Sequence, residues 1–255
     1  MSSSEDLRFR KIKHAVGRAV ADFNLIEEGD RIMVAVSGGK DSYTLLHILE
    51  ALRKRAPIRF ELMAATVDSG YPGFRTDIIG EHLQQTGVPF HIEPTDHYRI
   101  IEAKRRPGSS YCSFCARLKR GVLYGLAQRF TCNKLALGHH LDDFVETLLL
   151  NQFYVGSLKA MAPRMLADNG ETTVIRPLVY VAEDEISAFA RENSLPVVCC
   201  RCPVCGVADM KRKRMKKLLK DLEEEIPFIK RSLVTALGNV QPRHLLDPSL
   251  TKRGL

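Results

Sequence analysis

The sequence predicts an α/β fold: a parallel sheet with helices on both faces, an N-terminal helix before it, and a small C-terminal helical region rich in cysteine and basic residues. Three observations predict it. Short apolar runs alternate with stretches whose apolar residues recur every three or four positions, the pattern of strands and helices around a parallel sheet. The first run, Ile32-Met33-Val34-Ala35-Val36, leads directly into Ser37-Gly38-Gly39-Lys40-Asp41-Ser42 and then into a helical pattern with Leu45, Ile48, Leu49 and Leu52. Three predicted strand ends carry polar or glycine-containing segments, where ligands of such sheets lie.

In chain order, residues 5–24 carry Ile12, Val16, Val20 and Phe23 on one helical stripe, with Arg8, Arg10, Lys11, Lys13 and Arg18 around it. The stripe is expected to pack on the core, with the cations as a candidate face toward RNA. A second strand runs from Phe60 to Val67 and ends at Asp68-Ser69-Gly70, and a helix over 75–86 follows. Pro89 to Ile92 is a third strand. After an interruption, a helix covers about 115–129, and Lys134 to Leu137 is a fourth strand ending at Gly138-His139-His140-Leu141-Asp142-Asp143. A helix with Phe144, Leu148 and Leu149 on its inner side comes next, then a short strand 174–177 and a helix from Glu183 to Asn193. Beyond Pro196 lie a cysteine cluster, a basic helix to about Leu222, an acidic run Glu223-Glu224-Glu225, a break at Pro227 and a last helix over 228–237. The expected division is 1–30 for the N-terminal helical segment, 31–196 for the nucleotide-binding domain with the first cysteine pair, and 197–255 for the cysteine cluster, basic helix and tail.

The 255 residues suffice for one large domain or one domain with an appendage, and 45% hydrophobic with 27% charged residues is ordinary for a soluble protein. No apolar run reaches the ~18 residues of a membrane span, and Met-Ser-Ser-Ser-Glu-Asp lacks a signal-peptide pattern. The expectation is a cytoplasmic protein with no membrane partner. The net charge of +8 favours a polyanionic partner, nucleic acid first. It concentrates at Lys104, Arg105 and Arg106 and at Lys211, Arg212, Lys213 and Arg214, either an RNA-gripping surface or a solvated basic face.

The Ser37–Ser42 segment reads as a phosphate cradle. Its glycines let backbone N–H groups approach an anion, the helix start adds unpaired N–H groups, and Lys40 adds a cation. It does not fit the G-x-x-x-x-G-K-[ST] loop. Asp41 beside phosphates is repulsive unless a cation or a proton transfer justifies it, so Asp41 is a Mg²⁺ ligand or general-base candidate. Val67 and Asp68 at the second strand end, and Gly138 and Asp143 at the fourth, complete the expected ATP site, with capping of the helix the plain alternative for the aspartates.

Six of the seven cysteines cluster as Cys112/Cys115 and Cys199/Cys200/Cys202/Cys205. In a reducing compartment this points to metal or redox chemistry rather than disulfides. Two C-x-x-C pairs fit a Cys₄ zinc site, which spacing alone ranks first, and also an iron–sulfur cluster. Cys132 is expected to be a packed free thiol.

S-G-G-K-D-S, C-S-F-C-A-R-L-K-R-G, L-G-H-H-L-D-D, Arg176-Pro177-Leu178, C-P-V-C-G and N-V-Q-P-R-H-L-L-D together resemble the tRNA 2-thiocytidine synthetase family of PP-loop ATP pyrophosphatases, over roughly residues 7–250. The resemblance implies a Rossmann-like PP-loop fold and ATP-dependent replacement of the C2 oxygen of cytidine 32 in the tRNA anticodon loop by sulfur. It implies ATP, Mg²⁺ and a 4Fe-4S cluster held by three cysteines, which reverses the zinc-first ranking. Cys112, Cys115 and Cys205 match the three positions, with Cys202 the rival third ligand because Cys199-Cys200-Arg201-Cys202 is richer in cysteine than the family pattern. Lys119 matches a basic position of the related thiouridine synthetases and is the second catalytic candidate beside Asp41. The implied partners are tRNA and a sulfur donor such as a cysteine desulfurase or inorganic sulfide, with a homodimer left open. The alternatives are a tRNA 2-thiouridine synthetase of the same superfamily and a zinc-stabilised, non-catalytic nucleotide- or RNA-binding protein.

Overall fold

The structure is a computed structural model that describes residues 3–105, 111–204 and 210–247. Arg106 and Cys205, both singled out above, lie outside the described residues.

A six-stranded sheet organises the fold, in the order β3-β2-β1-β4-β6-β5. Its strands are β1 (Arg31–Ala35), β2 (Glu61–Asp68), β3 (Phe90–Pro94), β4 (Lys134–Ala136), β5 (Arg164–Leu166) and β6 (Thr173–Ile175). The first four pairings are parallel, with Met33 beside Met63 on one side and beside Leu135 on the other. Buried apolar runs form these strands because both sheet faces are covered and neither needs polar alternation. β5 alone is antiparallel, on β6, and its three residues are exposed. The expected fold class holds, with this one edge strand added. Arg164-Met165-Leu166 carries no period that marks it, and an edge strand is held by backbone pairing rather than by a buried face.

The helices are α1 (Ser3–Asp22), α2 (Lys40–Arg53), α3 (Thr76–Thr86), α4 (His97–Lys104), α5 (Tyr111–Arg129), α6 (Leu141–Val155), α7 (Glu183–Glu192), α8 (Met210–Glu225) and α9 (Ile229–Gly238). One sheet face packs Met33, Ala65 and Leu135 against Leu123, Leu126 and Ala127 of α5. By the period-two alternation of β1, Ile32 and Val34, both fully buried, face the opposite side. α4 falls in the interruption noted in the sequence; only His97 and Ile101 of its eight residues are buried, too few to announce a helix. α8 runs through the acidic residues 223–225 instead of ending at Leu222, because glutamate is a good helix former and Pro227 is the first residue that cannot continue the pattern.

Packing separates the chain into two compact units: residues 1–140 with 162–209, and residues 141–161 with 210–255. The sheet, α1 to α5 and α7 form the first. The second is a three-helix body of α6, α8 and α9, in which Val145 and Leu149 pack on Met215 and Leu219. These cuts differ from the sequence division at 30 and 196, because α6 finds its buried face on helices far along the chain. No helix among the described residues is long and apolar enough to cross a membrane.

Candidate active site

Strand order reverses between β1 and β4, each the start of a connection to opposite sides of the sheet, and ligands of open α/β sheets bind in the crevice at such a point. The β1–α2 loop and the β4 end meet there. Gly38 has φ +82°, a left-handed conformation that glycine adopts without strain. Ser42 locks the turn: its Oγ donates to the Gly39 carbonyl at 2.9 Å and accepts from the Ser37 N–H at 3.2 Å. Thr44 Oγ1 donates to the Lys40 carbonyl at 2.8 Å. Gly138 closes the floor. A Cβ there would stand 3.1 Å from the Asp41 carbonyl carbon and 3.2 Å from the Ser42 nitrogen, both backbone atoms that would have to give way, so glycine suits this close approach.

Lys40 is the loop's cation. Its ammonium lies 2.8 Å from Asp41 Oδ1 and 3.3 Å from Glu183 Oε1. Burial works to lower its pKa, but the two carboxylates outweigh it and hold the ammonium above its ordinary value. Asp41 Oδ1 also lies 3.7 Å from His140 Nε2. Glu183 and His140 were given no role from the sequence. Glu183 had no legible signal, since it is brought in by α7; His140 stood inside a quoted motif. Arg176, buried at the end of β6, donates to the Ala162 carbonyl at 2.5 Å and to His139 Nδ1 at 3.3 Å, which ties the 138–140 segment to the sheet.

Val67 is buried against α5, and Asp68 shapes the β2 end: its Oδ1 accepts the Gly70 N–H at 2.9 Å and its carbonyl accepts the Thr95 N–H at 2.8 Å. Beyond that turn stands Tyr71, whose hydroxyl donates to Cys115 Sγ at 3.7 Å. Burial raises the Tyr71 pKa first, and the neighbouring Tyr111 and Cys115 add to it. Cys112 and Cys115 occupy the first turns of α5, where the helix N-terminus favours a thiolate. Cys115 and Cys202 pack against the same hydrophobic cluster, Tyr71, Ile101 and Tyr111. Cys202 lies 3.4 Å from Cys200, sulfur to sulfur. Burial, then Cys200, with Cys112 a smaller contributor, pushes the Cys202 thiol up to about 11. Among the described residues no three cysteine, histidine or carboxylate side chains stand close enough to hold a metal ion. The donors drawn onto one patch are nevertheless soft thiols from two remote segments, the chemistry that suits an iron–sulfur cluster. Cys132 is a buried thiol raised by its burial.

One hydrogen bond stitches these two halves together. The Val198 N–H donates to the Gly38 carbonyl at 2.9 Å. The chain from Val198 to Cys202 is only four residues, so the cysteines begin within about 14 Å of the phosphate loop. Lys119 sits on α5 one turn after Cys115, half-buried, and its charge adds to the burial that lowers the His97 pKa.

The basic segments have mixed surroundings. Lys104 and Arg105 are exposed at the end of α4, with the Arg105 guanidinium 5.8 Å from the Tyr111 ring centre. In the helical unit, Lys211 Nζ stands 4.7 Å over Tyr154, and Arg212 reaches Glu146 at 3.1 Å and Asp143 at 3.6 Å. Lys213 and Arg214 face solvent.

A glycine-turned phosphate cradle at a sheet's switch point defines the class, that of PP-loop nucleotide-binding proteins, and residues 9–198 match the PP-loop domain family. The chain is 75% identical to the tRNA-cytidine(32) 2-sulfurtransferase of Geobacter metallireducens, over 99% of this chain and 98% of that protein. It is 73% identical to the protein of the same name from Geobacter sulfurreducens, with the same coverage. The chain therefore belongs to the tRNA-cytidine(32) 2-sulfurtransferase family within the PP-loop proteins. Among solved structures, the U34-tRNA thiolase NcsA from Methanococcus maripaludis, described with its 4Fe-4S cluster, superposes with a TM-score of 0.75 at 23% identity. That match covers 92% of this chain and 79% of the thiolase, and it shows the shared fold.

Proposed function

We propose that this chain replaces the C2 oxygen of cytidine 32 in the tRNA anticodon loop with sulfur, at the expense of ATP. The observation that supports it most is the Val198–Gly38 hydrogen bond, which places a cysteine-bearing segment against the loop suited to holding phosphates. A pyrimidine carbonyl oxygen is a poor leaving group. In this reading the C2 oxygen attacks the α-phosphorus of ATP, pyrophosphate departs, and the oxygen then leaves C2 as AMP when sulfur attacks.

The residues divide the work. The backbone N–H groups of Ser37 to Ser42 hold the departing pyrophosphate in place, and Lys40 turns from its carboxylate partners to the new negative charge. Asp41 would hold a Mg²⁺ ion, whose chemistry would be to offset phosphate charge, and His140 beside it keeps the carboxylate oriented. Gly138 lets the nucleotide lie against the β4 end, and Lys119 steadies negative charge developing near C2. Cys112, Cys115 and Cys205, with Cys202 the rival third ligand, would hold a 4Fe-4S cluster, whose chemistry is to present sulfur at an iron that the protein does not ligate. Tyr71 orients Cys115 from behind. A cysteine desulfurase or inorganic sulfide supplies the sulfur, and Lys104, Arg105, Lys213 and Arg214 hold the tRNA backbone.

The test is mass spectrometry of tRNA nucleosides from cells lacking the gene, paired with protein purified without oxygen. Absent 2-thiocytidine and brown, iron-bearing protein support the reading. Normal 2-thiocytidine refutes it, and colourless, zinc-rich protein that binds ATP without turnover points to the zinc-stabilised binding protein.

A further inference from the structure

α1 sorts its cations between two neighbours. Arg8 and Lys11 turn to α7, where Arg8 meets Glu192 at 2.9 Å and Glu185 at 2.7 Å, and Lys11 meets Glu185 at 2.5 Å. Arg10 and Lys13 instead line a cavity of about 560 Å³ that α1 forms with the C-terminal half of α2 and the end of α3. Lys54 and Arg55 line it from the turn that ends α2. The lining contains a single carboxylate, Glu50, and its oxygens are already claimed by Arg53 at 2.7 Å and Lys54 at 3.2 Å. Helix-dipole complementarity accounts for cations at and just past the C-terminus of α2. It does not account for Lys13, which comes from another helix to the same concavity.

An apolar trough of about 390 Å³ adjoins this cavity and shares Lys13, Ala51 and Arg55 with it. Cations beside an apolar wall match what the backbone of an RNA helix repeats, a phosphate next to a ribose. An acidic peptide would need apolar side chains in register with the wall, whereas every RNA residue sets a phosphate beside a ribose. The cavity also lies on the helix that carries the phosphate loop: Lys54 is fourteen residues past Lys40, about 21 Å along α2. A folded RNA whose loop reaches the switch-point crevice spans that distance easily.

We propose that the α1–α2 cavity is a second contact for the tRNA, where Arg10, Lys13, Lys54 and Arg55 hold the phosphodiester backbone of the stem leading away from the modified loop. This rests on tRNA being the substrate. The site does no chemistry; it sets the register in which the anticodon loop enters the crevice.

The experiment measures binding of an unmodified tRNA transcript to the full chain at several salt concentrations, with ATP affinity measured in parallel. Lys54→Gln with Arg55→Gln should weaken tRNA binding about tenfold near physiological salt and flatten the plot of log K against log salt by about 1.5, as two lost phosphate contacts require. ATP affinity should not move. Arg129→Gln, an exposed cation elsewhere, should change tRNA binding less than twofold, and Arg55→Gln alone should exceed it. Should the double variant lose ATP binding through misfolding, Lys13→Gln, which lines both the cavity and the trough, carries the same expectation at about threefold. Unchanged affinity and slope overturn the proposal, as do equal effects of Arg55→Gln and Arg129→Gln. Failure of the unsubstituted chain to bind tRNA at all overturns the functional reading beneath it instead.

Discussion

The phosphate loop and the cysteine patch are built in opposite ways, although one hydrogen bond joins them. The loop is six consecutive residues whose shape comes from backbone geometry and two serine hydroxyls, and it is complete as it stands. The patch packs Cys115 and Cys202 on a cluster of Tyr71, Ile101 and Tyr111, with Cys200 beside Cys202, and among the described residues its thiols form no metal-holding triad. The difference teaches where each can be damaged: the loop through its backbone and its cation, the patch through any one donor.

The largest expected effects break the comparison cleanly in two. Cys112→Ala should abolish 2-thiocytidine formation in a reconstituted assay and leave ATP affinity within twofold. Lys40→Ala should weaken ATP binding roughly 10- to 100-fold, the worth of a charged hydrogen bond, and leave the iron content of anaerobic protein unchanged. Loss of ATP binding in the cysteine variant, or of iron in the lysine variant, would show that the two halves form only together.

Acid should find the loop's helix first. His47 on α2 lies 3.0 Å from His82, nitrogen to nitrogen. Burial, with the charge of His82, depresses its pKa to about 4. The unfolded chain therefore binds a proton below about 6.5 that the folded chain refuses until about 4. Its stabilisation is complete above pH 6.5 and is lost as pH falls toward 4, roughly 2 kcal/mol by pH 5. Urea unfolding at pH 7 and pH 5 measures it, and His47→Gln should flatten the dependence.

Gly138→Ala should cost about 1–3 kcal/mol and loosen ATP binding, because the new methyl meets the backbone of Asp41 and Ser42, which cannot step aside like a side chain. Thermal unfolding and nucleotide titration read both. The smallest effect sharpens the other half: Tyr71→Phe removes the hydroxyl on Cys115 and should cost about 1 kcal/mol, with ATP affinity untouched.

Much of this molecule is local and was legible in its residues. The alternation of strands and helices, the cradle at Ser37–Ser42 and the pairing of Cys112 with Cys115 each depend on neighbours within a few positions, so period, glycine placement and spacing display them. The edge strand β5 and the short α4 were not legible, because each is held by pairing or by one or two buried side chains rather than by a pattern of its own.

What the sequence by itself determined is the chemistry on offer: a phosphate loop after a buried strand, soft thiols in two pairs, and an excess of positive charge. Tertiary structure alone decided which of these meet. It brought Glu183 to Lys40, His140 to Asp41, Tyr71 to Cys115 and Val198 to Gly38, and it set Lys13 at the α1–α2 cavity while Arg8 and Lys11 meet the carboxylates of α7. The physical reason is that such contacts are made across the sheet and between helices packed on it. Their partners are set by strand order and helix placement, which no local stretch of residues encodes.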